Sequence, residues 1–540
     1  MSATAAYIPA AETYMRKKCA EKRIIMEKLI IDILEESKKN YSEIKAVKWL
    51  KKKEILERSY GELMDNVEAI RNGLLTEGYK GKHIALIGTS SVEWIESYLG
   101  IITGSIVAVP LDAGLPAEDL IELINRSDSE ALFLSPKNIS LLDEILAECP
   151  KLKKIWLLQD EKPEVSNEKT VSLLELKNTP KNDDAALDRP SPEDIATIIF
   201  TSGTTGKSKG VMLTQSNLAA NVEAVNYHAE PGTVMLSVLP VHHAFCLVMD
   251  WLKGFSLGAT VCINDSLLHM VKNMGVFKPE VMLMVPLMVE TIYKRLSAAG
   301  PLIPKKLLAA KVFGGRLKII FTGGAHLDPF YIDKFAEYGI NVLEGYGMSE
   351  CSPVISSNLP DDYKAGSIGR PLSNVEISFE DGEILVKGTS VMKGYYKMPE
   401  ETEETLKDGW LHTGDKGYLD EDGFLFINGR VKNLIILSNG ENISPEEIEN
   451  KLALGKLVGE VIVTGENNGL TARIYPDQDI VSSKHMSEEK IRTELQAFLD
   501  KYNKKQPSYR QITGLVIRKN PFIKSSTKKI KRQEVLIDEA

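Results

Sequence analysis

Between residues 195 and 213 a loop rich in glycine, hydroxyl residues and lysine is held between two apolar runs, and it constrains the fold more than any other stretch of the chain. Ile195-Ala196-Thr197-Ile198-Ile199-Phe200 leads into Thr201-Ser202-Gly203-Thr204-Thr205-Gly206-Lys207-Ser208-Lys209-Gly210, and Val211-Met212-Leu213 follows. The flanking apolar runs predict a strand, a loop and a second strand. Such a loop can curl backbone N–H groups around phosphate oxygens, add hydroxyl donors and neutralise charge with lysine. Gly206-Lys207-Ser208 ends like a Walker A motif, but that motif's first glycine would fall at Thr201, and it opens a helix rather than a strand. Here the helix is expected later, capped by Thr214 or Ser216.

The chain has 540 residues, more than one core normally holds, so two or more domains are expected. Its 43% hydrophobic and 26% charged content is that of a globular protein, and a formal charge of -9 argues against a nucleic-acid binder. Five scattered cysteines without metal-ligand spacing read as reduced thiols, and no signal-peptide pattern is present, so the expected location is cytoplasmic. Tyr98 to Leu111, the longest apolar stretch, is broken by Gly100, Gly104, Ser105 and Pro110 and is no transmembrane segment; it reads as a buried helix–turn–strand. Ile24 to Leu34 is amphipathic, which leaves peripheral membrane contact open, although such faces more often pack on a core.

Tyr60 to Glu77, Val92 to Leu99 and Pro116 to Asn125 have helical spacing and alternate with strand-like His83 to Ile87 and Ile106 to Pro110. That alternation implies β-α-β units and a parallel sheet. Asp160 to Asp194, rich in charged residues, Asn and Pro, reads mostly as surface connection, and Gly366 to Ile427 as a smaller β-rich unit. A boundary near Arg430 to Asn433 divides an N-terminal domain, 1–429, from a C-terminal domain, 430–540. In the latter, Ser444, Pro445 and Glu447 predict an N-cap, a first-turn proline and a capping-box glutamate. Strands at Glu460 to Thr464 and Leu470 to Ile474 and a helix from Ser487 to Tyr502 follow. The fold class is α/β: a large N-terminal domain of βαβ-type subdomains with a β-rich subdomain, and a small α+β C-terminal domain.

The segment from Phe200 to Gly210 resembles the phosphate loop of the adenylate-forming superfamily, which contains acyl-CoA synthetases, peptide-synthetase adenylation domains and luciferases. It departs from that pattern at Ser208, where proline is usual. Other family motifs occur in order. Leu239-Pro240-Val241-His242-His243-Ala244-Phe245 resembles the segment bordering the acyl pocket, and Thr322-Gly323-Gly324-Ala325-His326-Leu327 the adenine-side turn. Glu344-Gly345-Tyr346-Gly347-Met348-Ser349-Glu350 and Trp410-Leu411-His412-Thr413-Gly414-Asp415 are similar to the nucleotide and ribose motifs. Gly429-Arg430-Val431-Lys432-Asn433 with Gly440-Glu441-Asn442 resembles the hinge, and Lys524-Ser525-Ser526-Thr527-Lys528-Lys529-Ile530 the terminal lysine motif.

The resemblance implies an AMP-forming acid–thiol ligase that uses ATP, Mg²⁺ and coenzyme A. A carboxylate attacks the α-phosphorus to give acyl-adenylate and pyrophosphate, and a thiol then displaces AMP. By the resemblance, Thr201, Ser202, Gly203, Thr204, Thr205 and Lys209 serve the β- and γ-phosphates, and Glu350 holds Mg²⁺. Asp415 accepts from the ribose hydroxyls, and Arg430 donates to ribose or phosphate. Tyr346, Gly324 and Ala325 frame the adenine, with Ser349 in the same motif. Lys529, rather than Lys528, which replaces a usual glycine, reaches the carboxylate and α-phosphate during adenylation only. Lys432 is the hinge about which a mobile C-terminal domain swings, bringing Gly440 towards a pantetheine tunnel.

His243 lines the acyl or carboxylate site, and needs no general-base role because a carboxylate is already ionised at pH 7. Amino-acid-activating relatives keep an aspartate where this chain has Ala244, so an amino-acid substrate is disfavoured. Acetate-type relatives place tryptophan at the position of Gly347; glycine, with Val241, Leu247, Met249 and Met348 nearby, points to a medium- or long-chain fatty acid. An aryl acid, an acyl-carrier protein as acceptor (an acyl-AMP ligase), and a non-catalytic nucleotide-binding homologue are the alternatives.

Overall fold

The computed structural model describes residues 28–161, 167–181, 188–201, 208–298, 304–436, 442–466, 469–524 and 530–535. Two large sheets form the body. In the eight-stranded sheet, Ile195–Thr201, Val107–Leu111, His83–Ile87, Ser129–Leu134, Lys154–Leu157 and Thr170–Ser172 run in that spatial order, with every adjacent pair parallel. Strands covered on both faces read as continuous apolar runs rather than alternating ones. Val107–Leu111 is buried at every position, and His83–Ile87 at all but its first.

The nine-stranded sheet has a parallel centre: Asn341–Gly347, Ile319–Thr322, Val281–Met284, Val234–Ser237, Thr260–Ile263 and Lys45–Lys51. Antiparallel strands close both edges. One apolar core, with Trp94, Tyr98, Trp156, Trp251 and Phe255, reaches through both sheets and the helices Tyr60–Thr76, Val92–Ile102 and Gln215–Ala224. Tyr98 to Leu111 is the expected buried helix–turn–strand. In the helix Ile30–Tyr41, the residues Ile30, Ile31, Ile33 and Leu34 are buried, so this part of the amphipathic face packs on the core; Ile24 to Glu27 lie outside the described residues.

The Asp160 to Asp194 stretch needs correction. Its described part holds the strand Thr170–Ser172 and the helix Leu173–Lys177, with Leu173 and Leu176 buried. Ser172 and Glu175 form a capping box there, and Lys177 reaches the buried Glu96 at 3.4 Å. Two buried leucines three residues apart are enough to anchor a short element in an otherwise charged stretch.

The β-rich unit is a five-stranded antiparallel sheet of Val375–Glu380, Glu383–Gly388, Trp410–Leu419, Leu406–Lys407 and Leu425–Arg430. Beyond it, Val458–Glu466, Gly469–Pro476 and Ile512–Ile517 make a three-stranded sheet that packs with the helices Pro445–Ala453 and Glu488–Asn503. The capping box expected at Ser444 is absent. Ser444 Oγ donates to the Glu446 carboxylate at 3.0 Å, and Glu447 pairs with Arg510. A cation in reach holds a carboxylate more strongly than a backbone amide does.

Candidate active site

The strands Ile195–Thr201 and Lys209–Thr214 are antiparallel, with Thr201 opposite Lys209, so both ends of the glycine-rich loop meet at one sheet edge. Ser202, Gly203, Thr204, Thr205, Gly206 and Lys207 lie outside the described residues. The neck of the loop is braced by groups that no local sequence pattern pointed to. Arg126 donates to the Ser208 carbonyl at 2.8 Å and lies over the Phe200 ring, 4.9 Å from its centroid. The Tyr396 N–H donates to the Gly210 carbonyl at 2.7 Å.

Tyr396 comes from Lys-Gly-Tyr-Tyr-Lys, residues 393–397, whose strand Gly394–Tyr395 adds antiparallel to Lys209–Thr214. This pairing carries Tyr395 to Lys209, whose Nζ sits 4.5 Å from the ring centroid. On its other side the Tyr395 hydroxyl donates to Glu350 Oε1 at 2.9 Å. Burial first, then the charge and hydrogen bond of Glu350, push the Tyr395 phenol above its usual range, so it stays a donor. Glu350 is 9% exposed, in the single turn Ser349–Cys351 that also carries Ser349, and its carbonyl accepts from Met392 N–H at 2.8 Å. With Oε1 occupied, Oε2 is left for a cation. Among the described residues no group of three or more His, Cys, Asp or Glu gathers to hold a metal. A single carboxylate oxygen fits Mg²⁺, which is commonly held through one or two carboxylates together with substrate phosphates and water.

The next group forms where the two expected nucleotide motifs meet. In Trp410–Leu419 burial alternates, and Asp415 points inward opposite Arg430 on the neighbouring strand. The Tyr346 hydroxyl donates to Asp415 Oδ2 at 2.7 Å, and Arg430 Nε lies 2.9 Å from Oδ1. Each carboxylate oxygen keeps a second lone pair, so Asp415 can still accept from a diol. Thr413 Oγ1 accepts from the Asp415 N–H at 3.1 Å and so holds the turn. The Tyr346 ring is nine-tenths buried in a cluster with Ile355, Ile384 and Leu411, and burial followed by the Asp415 charge raises its phenol well above normal.

Gly324 and Ala325 are exposed in the turn after Ile319–Thr322, where Gly324 has φ +82° with open space around it. A Cβ on the neighbouring Gly323 would come within 3.1 Å of the Gly345 carbonyl, so this turn lies against the strand that carries Tyr346. Lys209, Glu350, Tyr346, Asp415, Arg430 and the Gly324–Ala325 turn thus join the edges of both large sheets to the β-rich unit.

His243 lies on the turn before the helix Phe245–Lys253, its ring 4.2 Å from that of His242. His242 Nε2 is 3.6 Å from Asp112 Oδ2, and burial holds the His242 imidazole below its usual value despite that carboxylate. Val241, Leu247 and Met249 are buried nearby in the main apolar core. Gly347 has a different reason from the one expected: a Cβ there would meet the Pro353 carbonyl at 1.9 Å, so close backbone approach, independent of any pocket, calls for glycine. Lys432 is exposed on the turn Val431–Asn433. Gly440 and Lys529 lie outside the described residues.

The profile of the AMP-binding enzyme family matches residues 34–396, and that of the AMP-binding enzyme C-terminal domain matches 432–538. The chain belongs to this family. Among its relatives, the long-chain-fatty-acid–CoA ligase 5 of Rattus norvegicus is 32% identical over 490 residues, covering 79% of this chain and 72% of the relative. The peroxisomal long chain acyl-CoA synthetase 7 of Arabidopsis thaliana is 31% identical over 489 residues, covering 80% and 70%. The fold matches the crystal structure of a carboxylate reductase adenylation domain from Mycobacterium chelonae with a TM-score of 0.80 at 19% identity, covering 99% of this chain and 96% of that one. No helix among the described residues is long and apolar enough to cross a membrane.

Proposed function

We propose that this protein activates a medium- or long-chain fatty acid as its acyl-adenylate, releasing pyrophosphate, and passes the acyl group to the thiol of coenzyme A. The reading rests on family membership, on relatives that are fatty acid–CoA ligases, and above all on one observation: Lys209 and Glu350, distant in sequence, meet on either side of Tyr395.

The first half-reaction brings an anion to a polyanion, so fixed donors and cations must offset the repulsion. Lys209 neutralises phosphate charge at the neck of the glycine-rich loop, whose Thr201, Ser202, Gly203, Thr204 and Thr205 donate to the same oxygens. Asp415, held by Tyr346 and Arg430, accepts from the ribose. Tyr346 and the Gly324–Ala325 turn border the adenine, and Ser349 and Glu350 face the phosphates. Glu350 would hold Mg²⁺, which would supply neutralising charge for the phosphates. His243 borders the carboxylate. Lys529 donates to the carboxylate and α-phosphate in one pose of the domain 430–540, and rotation near Lys432 brings Gly440 to the thiol in the other. The four described cysteines are all free and buried, which suits the cytoplasm as the site of action.

A carboxylate-dependent ATP–pyrophosphate exchange assay over an acid panel, with and without coenzyme A, tests this. Exchange is expected with medium- and long-chain acids, and acyl-CoA when the thiol is present. Exchange with no acid would end the reading; exchange without acyl-CoA would transfer the second step to a carrier-protein thiol.

A further inference from the structure

Tyr395 bridges two groups that reach it from different elements: the ammonium of Lys209 against its ring and the carboxylate of Glu350 on its hydroxyl. It is 5% exposed, and a phenylalanine would fill the same space, so packing alone does not account for the hydroxyl. The backbone that presents it is clamped on two sides. Tyr395 is opposite Val211 in the sheet, and its N–H donates to Thr402 Oγ1 at 2.9 Å. Gly394, with φ +144°, lies so close to Thr402 that a Cβ would meet its Cγ2 at 2.8 Å.

We propose that Tyr395 is a positioning residue that aims the free oxygen of Glu350 at the nucleotide-bound cation and holds Lys209 over the phosphates, coupling the metal ligand to the phosphate loop. The inference rests on the ATP-binding reading above and adds to it. A buried carboxylate carries no orientation of its own. A donor fixed by sheet pairing takes Oε1 and so settles which way Oε2 faces. Groups hydrogen-bonded to a metal ligand commonly set its affinity. The ring lies beneath the Lys209 ammonium, at a distance where the attraction between a cation and a π face limits the lysine's excursions.

The test separates metal-dependent from metal-free binding. Dissociation constants for ATP with Mg²⁺, and for ATP with EDTA, are measured by titration calorimetry on the full chain, with thermal melts to confirm folding. Tyr395→Phe keeps the ring and loses the hydroxyl: Mg²⁺–ATP binding is expected to weaken by about tenfold, while metal-free ATP binding stays at the wild-type value. Tyr395→Leu removes the ring as well and is expected to weaken metal-free binding too, by about threefold. Glu350→Gln serves as the reference. If it weakens Mg²⁺–ATP binding and Tyr395→Phe does not, or if Tyr395→Phe tightens it or weakens both forms alike, the positioning role is wrong. If Glu350→Gln itself leaves Mg²⁺–ATP binding unchanged, the fault lies with Glu350 as metal ligand rather than with Tyr395.

Discussion

Two buried carboxyl groups, Asp250 in the N-terminal domain and Glu449 in the C-terminal one, are accommodated in opposite ways. In the N-terminal body Asp250 is fully buried on the helix Phe245–Lys253; Ser237 Oγ donates to its Oδ2 at 2.8 Å, and the Cys246 thiol lies 3.6 Å away. Oδ1 has no partner among the described residues, and burial pushes the group up to about 7. In the C-terminal unit Glu449 is nearly as deep, but Arg532 contacts Oε2 at 2.5 Å and the Val463 N–H donates to Oε1 at 2.6 Å. Burial still raises Glu449, with the guanidinium as the main opposing influence. At Asp250 the body leaves a carboxyl without a counter-charge, whereas Glu449 in the smaller unit, like Glu96 elsewhere in the body, is met by cations.

The same contrast runs through the seam between them. Among the described residues the contacts across it include Lys294, 3.4 Å from Asp477, Arg430, 2.9 Å from Asp415, and a cavity of about 240 Å³ lined by Lys416 and Asn428 on one side and by Leu434, Glu447, Tyr509 and Arg510 on the other. Polar contacts of this kind exchange readily for water, as a domain expected to rotate near Lys432 requires.

The strongest way to break the comparison is at Asp250. A folded-state pKa raised from 3.8 to about 7 means the folded protein holds a proton that the unfolded chain has lost. Its stabilising share is complete below pH 3.8 and disappears as pH rises towards 7. Asp250→Asn removes that slope, so urea denaturation should show the variant gaining on wild type by about 4 kcal/mol between pH 4 and 8. A difference constant with pH would show Asp250 to be ionised in the fold.

Removing the counter-charge is next. Arg532→Met leaves Glu449 buried beside an apolar side chain and should cost roughly 3 kcal/mol in unfolding of the C-terminal unit. Adding Glu449→Gln should restore more than half of it. Failure of the second change to help would mean that Arg532 acts through its bond to the Val463 carbonyl, 3.2 Å away.

Gly429→Ala sharpens the description of the seam. A Cβ at φ +145° would meet Ser444 Oγ at 2.1 Å, so the C-terminal unit must move or strain. The expected loss is about 1–3 kcal/mol, seen as a lower melting temperature and a changed ratio of adenylation to thioester-formation rates. Ser444→Gly in the same chain should recover much of both. Lys294→Gln is the smallest change: the pair is exposed, so it should shift stability by less than about 1 kcal/mol and abolish only a salt-sensitive part of the melt.

The elements were largely legible because their causes are local. The strand Val107–Leu111, the antiparallel strands Ile195–Thr201 and Lys209–Thr214, the Thr214 cap, whose hydroxyl accepts from Asn217 N–H at 3.1 Å, and the helix that begins after Ser487 all stand where apolar period and capping chemistry put them. The Ser444–Glu447 capping box was misjudged because Arg510, 63 residues away, competes for Glu447. Gly347 looked like a choice about the acyl pocket until the Pro353 carbonyl was seen pressing on it.

By itself the amino-acid order determined the family, the α/β class and the candidate residues for the nucleotide, since short motifs and hydrophobic period depend on neighbours along the chain. Only the tertiary structure decided that Tyr395 stands between Lys209 and Glu350, that Tyr346 holds Asp415 by its hydroxyl, and that Arg126 braces the loop's neck. Those contacts join residues far apart in the chain: Gly394–Tyr395 pairs with Lys209–Thr214 across nearly two hundred residues, Tyr346 meets Asp415 across 69 and Arg126 meets Ser208 across 82. Pairing at such separation is set by the order of strands in the whole sheet, which no local window of sequence contains.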